Sequence, residues 1–155
     1  MTLSDPGGVT RRVLLEDFFV GPDQDMQREN DLRPHEILIA IHLPPASPGV
    51  GRAYLKQGQK ESFDWPLADV AVVLERDQGG VCKRARVVLG AAAPMPYRAA
   101  RAEAALTGWR VDETVAKEAA HAAIQGAIPL SLNGYKLPLF ETLVRRAVLQ
   151  AEAAG

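Results

Sequence analysis

Cysteine is nearly absent from this 155-residue chain, and Cys82 is its only example. An internal disulfide is therefore excluded, as is any metal centre built on several thiolates. Such usage suits a reducing, cytoplasmic setting. An excess of one charge is missing too. Eighteen Lys and Arg against nineteen Asp and Glu leave a formal net charge of -1. That balance gives no electrostatic reason to expect nucleic acid or an anionic membrane as partner. No run approaches the roughly 20 apolar residues of a membrane span. The opening Met1–Gly8 has neither the basic stretch nor the apolar core of a secretory signal. What remains is ordinary for a soluble globular protein: 47% hydrophobic and 24% charged residues. The length suits one domain, or one domain with a short appended segment.

Hydrophobic periodicity divides the chain. Thr10–Leu15 is a short β-branched and apolar run, an edge-strand candidate, and Gly21-Pro22-Asp23 marks a loop. From Glu36 to Leu43 the residues alternate, with Ile37, Ile39, Ile41 and Leu43 on one side and Leu38, Ala40 and His42 on the other. Period two over that length predicts a strand with one strongly apolar face. Pro44-Pro45 ends it. Residues 44–51, rich in Pro, Gly and Ala, read as a mobile connection. Arg52–Gln57 is a further strand candidate. Leu67–Glu75 and Lys83–Ala91 alternate again around the turn cluster Asp77-Gln78-Gly79-Gly80, which predicts a β-hairpin.

After Pro94-Met95-Pro96 the pattern turns helical. Tyr97–Leu106 predicts a helix stopped by Gly108, and Asp112 is placed to cap a second one reaching about Ile124. A third starts near Pro138, with an apolar stripe through Leu139, Phe140, Leu143, Val144, Ala147, Val148 and Ala151 and with Arg145, Arg146 and Gln150 facing water. Strands first and helices second predict an α+β fold, a small antiparallel β-sheet followed by and packed against about three helices.

By themselves the residues announce no catalytic constellation. His35, His42 and His121 are far apart in sequence, and each reads as a surface or packed side chain. Cys82 reads as a small buried hydrophobe. Gly49-Val50-Gly51 and Gly79-Gly80 belong to no complete phosphate-binding motif and read as a loop and a hairpin turn. Glu16-Asp17 and Asp112-Glu113 suit a loop and a helix start. Trp65, after Phe63 and Asp64, suits either a core anchor or a cofactor face. Lys56 alone reads as a solvated lysine.

Taken in order, however, six segments resemble one known pattern. Arg11–Pro22 is similar to a segment running arginine, aliphatic pair, Asp-Phe-Phe, Gly. Leu32-Arg33-Pro34-His35-Glu36-Ile37-Leu38 resembles Leu-x-Pro-x-Glu-hydrophobic-Leu, and a strand ending at Leu43-Pro44 follows. Tyr54, Lys56, Lys60, Ser62 and Asp64 resemble Tyr-x-Lys-x3-Arg-x-Ser-x-Asp, and Val70-Ala71-Val72 comes after them. Ala85–Pro96 resembles a strand closing on Leu-Gly-Gly-Val-Ala-Pro-x-Pro. Arg98, Glu103, Leu106 and Gly108 fit the helix beyond it. Asn133-Gly134-Tyr135-Lys136 with Leu143–Ala147 resembles a closing helix. The family is that of the FAD-binding (medium) subunits of molybdenum hydroxylases, the xanthine dehydrogenase and carbon monoxide dehydrogenase flavoproteins, and the likeness is to their C-terminal part.

That resemblance implies a tail of the FAD-binding subdomain over residues 1–45 and a C-terminal flavoprotein-like domain over 46–155. It implies FAD as cofactor, gripped at the diphosphate by a glycine-rich segment that is not in this sequence, so the chain is a split product or a truncation. It further implies that Leu38 packs against the flavin ring, that Lys56 lies near its pyrimidine side, and that the loop 57–65 passes close by. Lys60 replaces the family's arginine, which keeps charge but loses the guanidinium fork. Ala91 replaces its second glycine, a mild departure. The partners implied are an iron–sulfur subunit, a molybdenum subunit carrying molybdopterin, or a chain supplying the N-terminal FAD-binding subdomain. Three readings stay open: part of a flavin site, a non-catalytic domain docking on the other subunits, or a remnant that binds no FAD.

Overall fold

Two alternating segments fold back on each other through an Asp-Gln-Gly-Gly turn, and the rest of the larger part of the molecule is built on that hairpin. The computed structural model describes residues 1–45, 49–61 and 63–155, and the chain divides into two units, Met1–Ala46 and Ser47–Gly155. Of the sequence-based expectations, Ser62 and the part of the 44–51 connection at residues 46–48 lie outside the described residues.

The first unit holds strands β1 (Thr2–Ser4), β2 (Thr10–Arg12) and β3 (Ile37–Ala40) and a single helical turn, α1 (Leu15–Phe18). The strands form an antiparallel sheet in the order β2-β1-β3, which puts the Thr10 segment at an edge. Strand β3 is shorter than the alternation from Glu36 to Leu43 suggested, and His42 lies beyond its end, bonded through Nε2 to the Thr2 hydroxyl at 2.6 Å. The apolar side is also not covered: Ile37 is 64%, Ile39 51% and Ile41 64% exposed. Leu3 is the only buried hydrophobic residue of this unit among the described residues.

An ionic knot holds the unit in place of a core. The Arg11 guanidinium donates to both oxygens of Glu36 at 2.7 Å and to Asp31 Oδ2 and its backbone oxygen at 2.6 Å. The fork geometry of arginine suits this two-sided grip. It holds the Glu36 carboxyl at a pKa of about 2 and that of Asp31 below the ordinary range. Arg11 and Glu36 both stand in the recurring sequence pattern, and their place there has a structural reason.

The second unit holds a four-stranded antiparallel sheet in the order β4 (Val50–Gln57), β5 (Ala68–Arg76), β6 (Cys82–Gly90), β7 (Tyr97–Arg98). Helices α2 (Ala100–Leu106), α3 (Glu113–Ile124) and α4 (Lys136–Ala154) follow. The α+β class and the sheet-then-helices order are those implied by the pattern. Alternation places Val70, Val72, Leu74, Ala85, Val87 and Leu89 in the core, each at most 3% exposed. In the β5–β6 turn, Asp77 Oδ1 accepts from the amides of Gly79 and Val81, and Gly80 takes a positive φ that glycine tolerates best.

The helices follow their capping chemistry. Asp112 accepts from the Val115 amide at 2.8 Å to start α3, whose buried stripe is Ala116, Ala119, Ala120 and Ala123. The small stripe lets α3 pack close to α4, which buries Phe140, Leu143, Val144, Ala147, Val148 and Ala151. Helix α4 begins at Lys136, two residues before Pro138. A proline in the first turn lacks only an N–H that would have no helical partner there. The helix expected from Tyr97 begins instead at Ala100. Pro94 and Pro96 keep the preceding backbone extended, so Tyr97 and Arg98 pair with Leu89 and Val88 as β7. Where β4 meets α4 the approach is close: a Cβ on Gly51 would lie 1.9 Å from the Ala151 carbonyl oxygen.

Candidate functional site

Strand β4 alternates Gly51, Ala53 and Leu55 toward the core with Arg52, Tyr54 and Lys56 on the opposite face. The register places Tyr54 opposite Ala71, Lys56 opposite Asp69, and Asp69 in turn opposite Gly90. Cross-strand neighbours share a face, so Tyr54, Lys56 and Asp69 form a polar and aromatic cluster on the side of the sheet away from the helices. Tyr54 is 60% exposed.

The cluster is held from below and above. Asp69 lies over Gly90, where any Cβ would come within 2.1 Å of its Oδ1. Burial pushes the Asp69 carboxyl up, while the charge of Lys56 and the Gly90 amide pull it part of the way back. Burial, and then the charge of Asp69, raises the Tyr54 phenol. The Lys56 ammonium donates to the Asp64 carbonyl oxygen at 2.5 Å, and Lys60 pairs with the Asp64 carboxylate at 3.5 Å. The loop after β4 is thereby drawn back onto its own strand. Phe63 and Trp65 on that loop stand fully in solvent, 108% and 94% exposed. At 94% exposure Trp65 anchors no core among the described residues.

An open sheet face with a fixed cation, a carboxylate beside it and exposed aromatic rings nearby can take a planar, polar ring system. It offers no activated nucleophile, and among the described residues no group of three His, Cys, Asp or Glu is placed to hold a metal. Cys82 is fully buried, and burial pushes its thiol up, which argues against a reactive role. Leu38, the other residue singled out in the sequence, stands in the first unit on β3, opposite Leu3 and 41% exposed. The structure thus brings Lys56 together with Tyr54, Asp69 and Asp64, and Leu38 together with Leu3. Asp69 was missed in the sequence. Its signal was the register of the β4–β5 pair, which counts Asp69 back to Lys56.

Other positions of the sequence pattern prove to be supports. Glu103, 6% exposed, receives Arg98 at 2.7 Å, Arg86 at 3.3 Å and the Val87 amide at 3.2 Å. Burial alone would raise its carboxyl, but these partners outweigh burial and hold it below the ordinary range. Ala91 has φ 57°, a left-handed conformation, and the Lys136 ammonium donates to its carbonyl at 2.6 Å. Its replacement of glycine is therefore not mild, since a Cβ there costs about 1–2 kcal/mol. Ala91, Lys136 and Asn133 also border a cleft of about 420 Å³ with Leu89, Tyr97 and Phe140.

Residues 53–151 match the family model described as the CO dehydrogenase flavoprotein C-terminal domain. The aldehyde oxidoreductase FAD-binding subunit of Escherichia coli is 30% identical over 96% of this chain and 43% of that protein. The carbon monoxide dehydrogenase medium chain of Hydrogenophaga pseudoflava is 32% identical over 97% and 51%. Among solved structures, carbon monoxide dehydrogenase from Hydrogenophaga pseudoflava, in a form lacking the Mo-pyranopterin moiety of its cofactor, superposes with a TM-score of 0.84 at 34% identity, over 99% of this chain and 52% of that one. Quinoline 2-oxidoreductase from Pseudomonas putida 86 gives 0.82 at 28% identity, with the same coverage. The chain spans about half the length of these relatives.

Proposed function

Because this chain belongs to the CO dehydrogenase flavoprotein C-terminal domain family, we propose that it helps to enclose the flavin of a molybdenum hydroxylase as the C-terminal part of its FAD subunit. The observation that carries the reading is Lys56, which the β4–β5 register sets beside Asp69 on the open sheet face, near Tyr54 and an outward-facing aromatic loop. The chemistry of these residues suits the group: on this reading Lys56 would supply positive charge to the pyrimidine side of the ring, and Leu38 on β3 would supply an apolar contact. Bound FAD supplies the electron-carrying ring that passes electrons from iron–sulfur clusters to an acceptor. The chain's own part is to place a cation, fix it through Asp64, and offer apolar surface. Molybdopterin and iron–sulfur clusters belong to partner subunits in this reading. A chain supplying the N-terminal FAD-binding subdomain completes the diphosphate grip, and the complex is cytoplasmic.

A second reading has support of its own. Among the described residues the first unit has one buried hydrophobic residue, so its share of a flavin site is not built to stand alone. On that reading the isolated chain is a docking domain or a remnant that holds no FAD. The visible absorption spectrum of the purified chain, before and after FAD is added and the solution desalted, separates the two. A retained flavin spectrum is inconsistent with the second reading. A colourless chain that gains flavin only with the N-terminal portion supports the first.

Lys56→Ala tests the residue itself. In the flavin-loaded complex it lowers the reduction potential by roughly tens of millivolts, because negative charge on the reduced ring loses a stabilising cation. An unchanged potential in a potentiometric titration sinks that role.

A further inference from the structure

We propose that the cleft between the end of β6 and the start of α4 is a second binding site, shaped for a flat aromatic acid that also carries a hydroxyl or N–H donor. It lies within Ser47–Gly155 on the helix side of the sheet, and it does not depend on the flavin reading.

The cleft has a volume of about 420 Å³, within the roughly 300–1,000 Å³ usual for small-molecule sites. Its walls are apolar, with Leu89, Pro94, Tyr97, Ile124 and Phe140 among them. Such a lining takes a ring system better than a flexible polar chain. Strand β6 separates the cleft from the Lys56 cluster. Leu89 lines the cleft, while its neighbour Gly90 faces Asp69 on the open side of the sheet.

Both rims are tied in place. At the end of α3, Arg101 donates to the Gln125 carbonyl at 3.2 Å, and Gly126 follows with φ 83°. On the other side, the Lys136 ammonium donates to the Ala91 carbonyl at 2.6 Å and fastens the first turn of α4 to the chain leaving β6. A site fixed at both rims needs little ordering on binding.

Two polar residues set the chemistry of the ligand. Among the described residues Lys136 is the only charged side chain that lines the cleft, and no aspartate or glutamate joins it. An ammonium has three N–H donors, and Ala91 takes one of them. The other two can receive a carboxylate, and nothing along the walls repels it. Asn133, in the turn before α4, holds its amide oxygen away from water with no hydrogen-bond partner. An unpaired buried acceptor is costly. Turning that oxygen toward a donor in the cleft gains it a bond and breaks none of its own. An aromatic acid with a hydroxyl or N–H group answers both residues, whereas an organic cation is repelled by Lys136.

The test titrates the full 155-residue chain with hydroxynaphthoate and follows the fluorescence of the ligand. We expect one-to-one saturation with a dissociation constant on the order of 0.1 mM. Naphthoate, which lacks the hydroxyl, and naphthol, which lacks the carboxylate, each bind about tenfold more weakly. Naphthylmethylammonium does not saturate the chain. Lys136→Gln keeps a donor for the Ala91 carbonyl but loses the charge, so it weakens hydroxynaphthoate about tenfold and leaves naphthol unchanged. Lys136→Arg restores most of the affinity. Amide NMR shifts in the parent chain place the ligand without any variant, and we expect them at residues 89–97, 123–130 and 133–140. Shifts centred on Tyr54 and Lys56 overturn the inference, because the ligand then occupies the open sheet face. The absence of saturable binding overturns it too. So does an affinity that is equal for hydroxynaphthoate and naphthylmethylammonium, or one that Lys136→Gln does not change.

Discussion

The two units of this chain are built from the same pattern, alternating strands, and reach opposite results. In Ser47–Gly155 the alternation of β5 and β6 ends in a dry core, with Val70, Leu74 and Val87 at 0% exposure under three helices. In Met1–Ala46 the alternation of β3 ends in solvent, and the order comes from charge, through Arg11 and its two carboxylates. Apolar burial is the main source of folding free energy, while partly exposed ion pairs contribute little. The difference teaches that alternation yields a dry core only where other elements of the chain cover the apolar face.

The strongest way to break that comparison is to separate the units. Residues 47–155 alone show a cooperative thermal transition, whereas residues 1–46 alone show none. A sharp transition in the short piece by calorimetry would contradict the account of its core. Next in size is Glu103→Ala in the second unit. It removes the acceptor of the buried Val87 amide and the shared anchor of two half-exposed arginines, and costs roughly 1–3 kcal/mol in urea unfolding. A loss near zero means the cluster is better solvated than its exposure implies.

Acid sharpens the contrast from the other side. The Glu36 carboxyl is lowered from 4.5 to about 2 in the folded unit. A depressed carboxylate adds stability that is present above the unfolded value and disappears as pH falls through the folded one. The first unit therefore loosens between about pH 4.5 and 2. Backbone exchange or NMR shifts near Arg11 and Glu36 report it, and the Glu36→Gln chain lacks that part of the pH dependence. The smallest effect has the opposite sign. Ala91→Gly relieves a left-handed φ and stabilises the second unit by about 1 kcal/mol, less whatever chain entropy glycine adds to the unfolded state. A destabilised variant means that the Lys136 bond to the Ala91 carbonyl needs the alanine conformation.

Much of the second unit was legible in advance, because its signals are local. The Asp77 turn, the Asp112 cap, Gly108 after α2 and the stripe of α4 each declare themselves within a few residues, since turns and caps are closed by neighbouring backbone groups. Where local reading failed, a nearby constraint had been underweighted. Prolines 94 and 96 delayed α2, and the first-turn tolerance of Pro138 let α4 begin earlier. The candidate site was legible only in part. Lys56 stood out through the resemblance, but Asp69 beside it did not, because twelve residues of chain separate them and only strand register joins them. The roles of Arg11, Glu36 and Glu103 as ionic supports were equally hidden, since an ion pair across 25 residues leaves no periodic trace.

The sequence by itself determined the class of fold, the order of its elements and the family, because periodicity, capping and motif order are properties of the chain read along its length. Only the tertiary structure decided which apolar faces are covered. It turned the helix stripes and the β5–β6 row inward, left Ile37, Ile39, Phe63 and Trp65 in water, and put Asp69 beside Lys56. Burial and register are set by what the chain brings alongside a residue from elsewhere, and a pattern that prepares a face for burial does not supply the partner that buries it.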